Sequence, residues 1–76
     1  MNKDRRKALL EIIKQLESLK EKVEDIRDME QEGFDNLSDG LQQTMRGNQM
    51  EEAISNLESA IEFIDETIYH IDEASM

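Results

Sequence analysis

The chain has 76 residues, no cysteine and one histidine, His70. A chain of this length buries a limited core; the lack of cysteine excludes disulfides, and one histidine argues against a structural zinc site. The formal net charge of −10 repels nucleic acid and anionic lipid, so no binding to nucleic acid or membrane is expected. Self-association is the expected source of further stability, and the negative charge suits a basic protein partner.

The composition is typical of a helical protein. Proline is absent, and glycine occurs only three times. No apolar run is long enough to span a membrane, and no signal-peptide pattern precedes the first helix, so we expect a cytoplasmic protein. The charge is concentrated in residues 33–76, where Arg46 is the only basic residue among ten acids.

The first long helix is predicted over residues 3–32. Its apolar residues follow the 3-4 spacing of a and d positions in a heptad, with Leu9 at a. They are Leu9, Ile12, Leu16, Leu19, Val23 and Ile26. One face of this helix is therefore expected to pack against a partner helix.

Residues 33–48 are predicted to form a connector with a short helical piece. We expect Phe34, Leu37 and Leu41 to close the open end of the hairpin as a plug, although a flexible loop is the alternative. Gly47 is expected to end the piece in the left-handed conformation, and Asn48 with Glu51 reads as a capping box for the next helix.

The second long helix is predicted over residues 49–74, with Ile54 at a. Its a and d residues are Met50, Ile54, Leu57, Ile61, Ile64, Ile68 and Ile71. The e positions are mainly basic on the first helix and wholly acidic on the second. An antiparallel register that sets Leu16 by Ile64 also pairs Arg6 with Asp72, Lys20 with Glu58 and Arg27 with Glu51. The predicted fold is an all-α, coiled-coil-like antiparallel hairpin that forms a single domain.

A row of small residues on the second helix indicates an interface. The predicted oligomer-interface residues are Ala53, Ala60, Phe63, Thr67, His70 and Ala74. Small side chains at every seventh position allow close approach of another helix, and the simplest product is a homodimer that forms a four-helix bundle. The alternative is a loosely packed edge, since single exposed apolar residues are common.

Catalytic chemistry has little support in this sequence. No cysteine nucleophile or glycine-rich phosphate loop is present, and the serines have only His70 as a base. The pairs Glu21/Glu24 and Glu62/Asp65 have the spacing of magnesium ligands in all-α pyrophosphohydrolases, but their heptad phase points mostly outward. We therefore predict no enzyme activity, no catalytic residues, no metal site and no cofactor.

Two stretches carry a resemblance to a known group of proteins. One runs from Glu30 to Leu37 and continues at Leu41-Gln42; the other begins at Arg46-Gly47 and extends through Asn56-Leu57-Glu58 to Ala60-Ile61. Together they resemble small acidic helical proteins encoded in bacteriophage and prophage genomes, over about half the chain. The resemblance implies a phage accessory protein that acts on host or phage machinery. Gly33 departs from the pattern, because an aromatic residue usually follows Glu-Gln-Glu.

The first functional hypothesis is a phage-encoded inhibitor of a host defence or DNA-handling complex, which binds a basic protein surface in the host cytoplasm. The residues assigned to this acidic face are Glu51, Glu58, Glu62, Asp65, Glu66, Asp72 and Glu73. The alternative is that these carboxylates form only a solvated helix face that binds no partner. Two other functions are a self-assembling structural module and an oligomeric sponge for a signalling nucleotide, which would use Arg46, Arg27 and Lys20.

Overall fold

The computed structural model describes all residues from Met1 to Met76 and contains three helices. They are α1 (Lys3–Asp35), α2 (Asp39–Gln42) and α3 (Met45–Ala74). The long helices α1 and α3 pack against each other, α2 lies in the connector, and no strand is present. The predicted all-α hairpin is thus confirmed, as a rod measuring 58 × 15 × 12 Å. Neither long helix contains a stretch apolar enough to cross a lipid bilayer.

The first helix begins where the sequence predicts and ends three residues later. Asn2 caps it, because its side-chain oxygen accepts a 2.8 Å hydrogen bond from the Arg5 backbone N–H. The helix continues through Gly33 to Asp35, since Gly33 adopts ordinary helical backbone angles. Gln31 donates a 2.9 Å hydrogen bond to Asp35 one turn further on, within the last turn.

The residue that caps the second long helix differs from the one predicted. Ser38 caps α2, and Thr44 caps α3 by accepting a hydrogen bond from the Gly47 N–H. The second long helix therefore begins at Met45, four residues before the predicted start. The predicted left-handed Gly47 and the capping box at Asn48 are wrong, because both residues lie inside the first helical turn.

A close backbone approach holds the connector against the start of α3. A Cβ atom on Gly47 would overlap the carbonyl group of Gln42 and lie 2.8 Å from its Cα. The Gln42 side chain in turn donates to the carbonyl oxygens of Phe34 (3.2 Å) and Leu37 (3.3 Å). Gln42 thus joins the end of α1, the connector and α3.

The predicted plug forms only in part. Phe34 and Leu37 are half-buried at this end of the hairpin, whereas Leu41 leaves 52% of its surface exposed. Leu41 is part of α2, which has only four residues. Leu37 lies before this helix begins, so the four-residue spacing of Leu37 and Leu41 does not place both on one helical face.

The core of the hairpin is narrow and uses one of the two predicted apolar rows of α1. Its buried apolar side chains are Ile13, Ile54 and Ile61. The a residues of α1 are half-buried, but the d residues Ile12, Leu19 and Ile26 are exposed at 42%, 51% and 52%. The prediction that these three d residues lie in the hairpin core is wrong.

The exposure of the d row follows from how α1 is rotated about its axis. Its packing face consists of the a row and the e row, which is occupied by Ile13, Lys20 and Arg27. The side chains of Lys20 and Arg27 are each only 27% exposed, so their aliphatic stems take part in packing while their charged ends stay near water. Because the a and e rows of α1 face α3, the d row of α1 is turned away from the seam.

The ion pairs of the hairpin also differ from the predicted ones. Lys20 pairs with Asp65 at 2.7 Å, and not with Glu58, which precedes Asp65 by one heptad. Arg27 pairs with its neighbour Asp28 at 2.8 Å instead of Glu51, and Arg6 forms no ion pair. Each exposed ion pair contributes little free energy, so the sequence only weakly determines which nearby carboxylate a basic side chain meets.

Candidate functional site

The acidic face of α3 is a continuous exposed surface along most of that helix. All seven carboxylates assigned to it from the sequence are exposed. Glu51, Glu58, Asp65 and Asp72 follow one another at intervals of seven residues and so form one row, beside which the other three lie. At ~1.5 Å per residue, the face extends for roughly 33 Å.

Very little of this negative charge is neutralised within the hairpin. Asp65 is the only member with a basic side chain within ion-pair distance, and that partner is Lys20. The other six carboxylates form no ion pair. The face therefore keeps most of the charge that the sequence assigns to it, and this charge is available to a partner.

Residues of α1 enlarge the acidic face at its centre. A shallow groove between the two long helices is lined by Glu17, Lys20, Glu21, Glu24, Asp65 and Ile68. Four carboxylates thus surround one ammonium group, which leaves local negative charge that could receive the basic side chain of a partner. No group of three or more His, Asp or Glu side chains lies close enough together to hold a metal ion.

The sequence reasoning missed the α1 side of this groove. The sequence pattern indicates Glu21 and Glu24 only as candidate magnesium ligands and does not single out Glu17. The structure places all three beside the acidic face, because they line one groove with Lys20 and Asp65. The available signal was the row of acidic residues at positions 17, 21 and 24, which share one helix side.

Lys20 is the one group whose titration clearly responds to this environment. Its hydrogen bond to Asp65 raises the pKa of Lys20 above the ordinary value for lysine, partial loss of solvent opposes this, and the charges of Asp65, Glu24 and Glu17 add to the increase. Lys20 consequently stays protonated under physiological conditions and reduces the charge at the centre of the acidic face.

The residues assigned to an oligomer interface fall into two groups. Ala53 and Ala60 are half-buried beside the hairpin core, whereas Thr67, His70 and Ala74 are exposed, as is Phe63 with 66% of its surface. The Thr67 hydroxyl donates to the Phe63 carbonyl oxygen at 2.8 Å, so it is already used within α3. The His70 ring meets Tyr69 edge to face, with ring centres 5.4 Å apart.

The three basic residues considered for nucleotide binding do not form one basic pocket. Lys20 lies in the carboxylate-lined groove, and Arg27 is paired with Asp28 on its own helix. Arg46 lies in the first turn of α3 with its side chain exposed. A phosphate group approaching Lys20 would meet four carboxylates first.

A comparison of the chain with protein-family models, with curated proteins and with solved structures finds no match. Function is therefore inferred from the surfaces of the hairpin. Two of them stand out, namely the acidic face of α3 with its extension on α1, and the exposed apolar row of α1.

Proposed function

We propose that this chain is a non-catalytic binding protein whose acidic α3 face docks on a basic protein surface, as a phage-encoded inhibitor of a host defence or DNA-handling complex. The observation that carries the proposal is the acidic face of α3, whose seven carboxylates are exposed and six of which have no basic partner in the hairpin. Charge left uncompensated along one side of a rigid rod favours association with a surface of opposite charge.

The charge density helps to define the mode of binding. Seven carboxylates over roughly 33 Å give about one charge per 5 Å, compared with one per ~3.4 Å along a single DNA strand. The face is thus comparable to a single strand but well below a duplex, which carries one charge per ~1.7 Å. These densities favour docking into a basic cleft over a faithful copy of duplex phosphates.

The test is a pull-down from bacterial lysate with the tagged protein, followed by mass spectrometry of the retained proteins. A charge-reversed variant carries Glu58→Lys, Glu62→Lys and Glu66→Lys, three exposed residues that form no ion pair, so the hairpin should still fold. The matched control carries three reversals on α1 that change the net charge equally. They are Glu11→Lys, Asp25→Lys and Glu32→Lys, at exposed positions on one row.

The expected result is one enriched DNA-handling or defence component that the wild type and the α1 control retain and the α3 variant loses. High salt should release it as well, because binding depends on exposed charge. Retention of the component by the α3 variant, or equal loss from both variants, would contradict the proposal.

A second candidate function is a self-assembling structural module, which the exposed d row of α1 favours. Three large aliphatic side chains at 42–52% exposure are an unusual feature of one side of a small rod. Recovery of only the bait from lysate, together with an oligomeric mass by light scattering, would support this candidate.

A further inference from the structure

The second surface of the hairpin is an apolar row on α1 that α3 leaves uncovered. Ile12, Leu19 and Ile26 are exposed at 42%, 51% and 52%, and Met29 beside them at 63%. Ile12, Leu19 and Ile26 recur at intervals of seven residues, and Met29 follows Ile26 by three. All four therefore lie on one side of α1. The same spacing in a coiled coil marks residues that contact a neighbouring helix.

The row belongs to a broader face that contains no acidic residue. In an antiparallel pair, the d and g rows of both helices lie on the same side of the seam, and the e rows lie on the other side. The positions of this apolar face are Arg5, Ala8, Ile12, Gln15, Leu19, Lys22, Ile26, Met29 and Gly33 on α1, with Arg46, Met50, Ala53, Leu57, Ala60, Ile64, Thr67, Ile71 and Ala74 on α3. None of them is Asp or Glu, although 19 of the 76 residues are acidic.

The solvent-accessible area of the hairpin indicates how much of its surface a partner would cover. The hairpin exposes 5844 Å². A folded monomeric protein of 8.9 kDa exposes about 4,800 Å² by the usual relation between mass and surface. The excess of about 1,000 Å² per chain would, in a dimer, correspond to a total buried area of about 2,000 Å², as large as that of stable homodimers.

We propose that a second copy of this chain covers the apolar face and that the two hairpins form an antiparallel four-helix bundle. Shape supports a second copy as the occupant. A two-fold axis parallel to the helices places α1 of each copy over α3 of the other, so the large row of α1 meets the small residues Ala53 and Ala60. The face is therefore complementary to itself.

Charge supports the same occupant. The charged residues of the apolar face are Arg5, Lys22 and Arg46, all of them basic, so two copies meet there without bringing carboxylates together. The acidic face lies on the e side of the seam and stays outside the bundle. Each dimer accordingly presents two acidic faces on opposite sides, and this arrangement does not depend on what the acidic face binds.

The sharpest test compares two leucines of α1 that have the same exposure within one hairpin. Leu19 and Leu10 are 51% and 50% exposed, but Leu10 lies outside the d and g rows. Because the chain has no cysteine, Leu19→Cys and Leu10→Cys each introduce a unique thiol. The rate of maleimide labelling of each is divided by its rate in 6 M urea, which removes differences in intrinsic reactivity.

We expect the normalised labelling rate of Leu19→Cys to be at least tenfold lower than that of Leu10→Cys. We also expect light scattering to give the wild type a mass of two chains. A monomeric wild type at 100 µM, or equal normalised labelling rates, would overturn the proposal. A monomeric wild type would also assign the apolar face to a foreign protein partner.

Two substitutions and a salt series complete the test. Leu19→Lys should abolish the dimeric mass, either as a monomer or with concentration-dependent loss of helix, whereas Leu10→Lys should retain it. A dimeric Leu19→Lys variant would overturn the proposal. Salt separates this proposal from the proposed function, because apolar association should persist or strengthen at 1 M NaCl while target binding through the acidic face should weaken.

Discussion

Gly47→Ala is expected to destabilise the hairpin, although alanine is the better helix former. Gly47 lies in the first turn of α3 and is buried. A Cβ atom there would overlap the carbonyl carbon and oxygen of Gln42. Those are backbone atoms, so no change of rotamer relieves the overlap, and the connector must move away from α3.

The magnitude follows from three contributions. Alanine in place of glycine favours a helix by ~1 kcal/mol. Forcing an extra carbon into a packed position costs about 1–3 kcal/mol. Moving the connector also weakens the two hydrogen bonds from the Gln42 side chain to Phe34 and Leu37, each worth about 1 kcal/mol. The free energy of unfolding should therefore fall by roughly 1–3 kcal/mol in total.

The assay is urea unfolding followed by circular dichroism at a fixed chain concentration. The chain supplies two controls of the same substitution. Gly40→Ala meets no atom within 4 Å, and Gly33→Ala meets only the flexible terminal carbon of Met50 at 3.2 Å. Both should leave stability unchanged or raise it by up to ~1 kcal/mol. If Gly47→Ala stabilises the protein as Gly40→Ala does, the close approach to Gln42 does not constrain the fold.

Three further predictions concern the core, the ion pair and the net charge. Ile61→Ala should lower the free energy of unfolding by about 2–4 kcal/mol, because it leaves a cavity in the core, whereas Tyr69→Ala, at a position 58% exposed, should lower it far less. Urea unfolding measures both changes. Equal losses of stability would contradict the assigned core. Because Asp65 raises the pKa of Lys20, the ion pair stabilises the fold at pH values below the unfolded-state lysine pKa of about 10.4, and this stabilisation is lost as the pH rises through the higher folded-state pKa. Asp65→Asn should therefore lower the midpoint of the Lys20 titration measured by NMR. An unchanged midpoint would show that the pair does not form in solution. Because the chain carries a net charge of −10, salt should screen the repulsion among the α3 carboxylates, and the melting temperature should rise between 20 mM and 500 mM NaCl. A melting temperature that falls over this range would show that attraction between charges dominates.

Much of the fold is predictable from the sequence because helical periodicity is a local property. The spacing of Leu9, Leu16 and Val23, and of Ile54 and Ile61, places each set on one side of a helix whatever the partner. The lack of proline and the position of the glycines between two heptad segments predict two long helices and one turn. The exposure of the acidic face was predictable for the same reason, since charged residues at those positions face away from the apolar row.

The connector was less predictable because several residues compete for each capping role. Asn48 has a suitable side chain, but Thr44 caps α3 four residues earlier. Gly47 has the residue type of a left-handed turn, yet it is glycine because the Gln42 backbone leaves no room for a Cβ atom. A local pattern contains no information about which backbone segment approaches from elsewhere in the chain.

The sequence by itself determined the helices, their direction relative to each other and the acidic character of one side, because each depends on residue spacing and composition. Only the tertiary structure decided the ion-pair partner of Lys20 and the rotation of α1. Glu58 and Asp65 lie one heptad apart on the acidic face, so the sequence offers both as partners, and in the structure Lys20 pairs with Asp65. A two-helix seam covers one apolar row of α1 and leaves Ile12, Leu19 and Ile26 exposed, which is the surface that the proposed second copy covers.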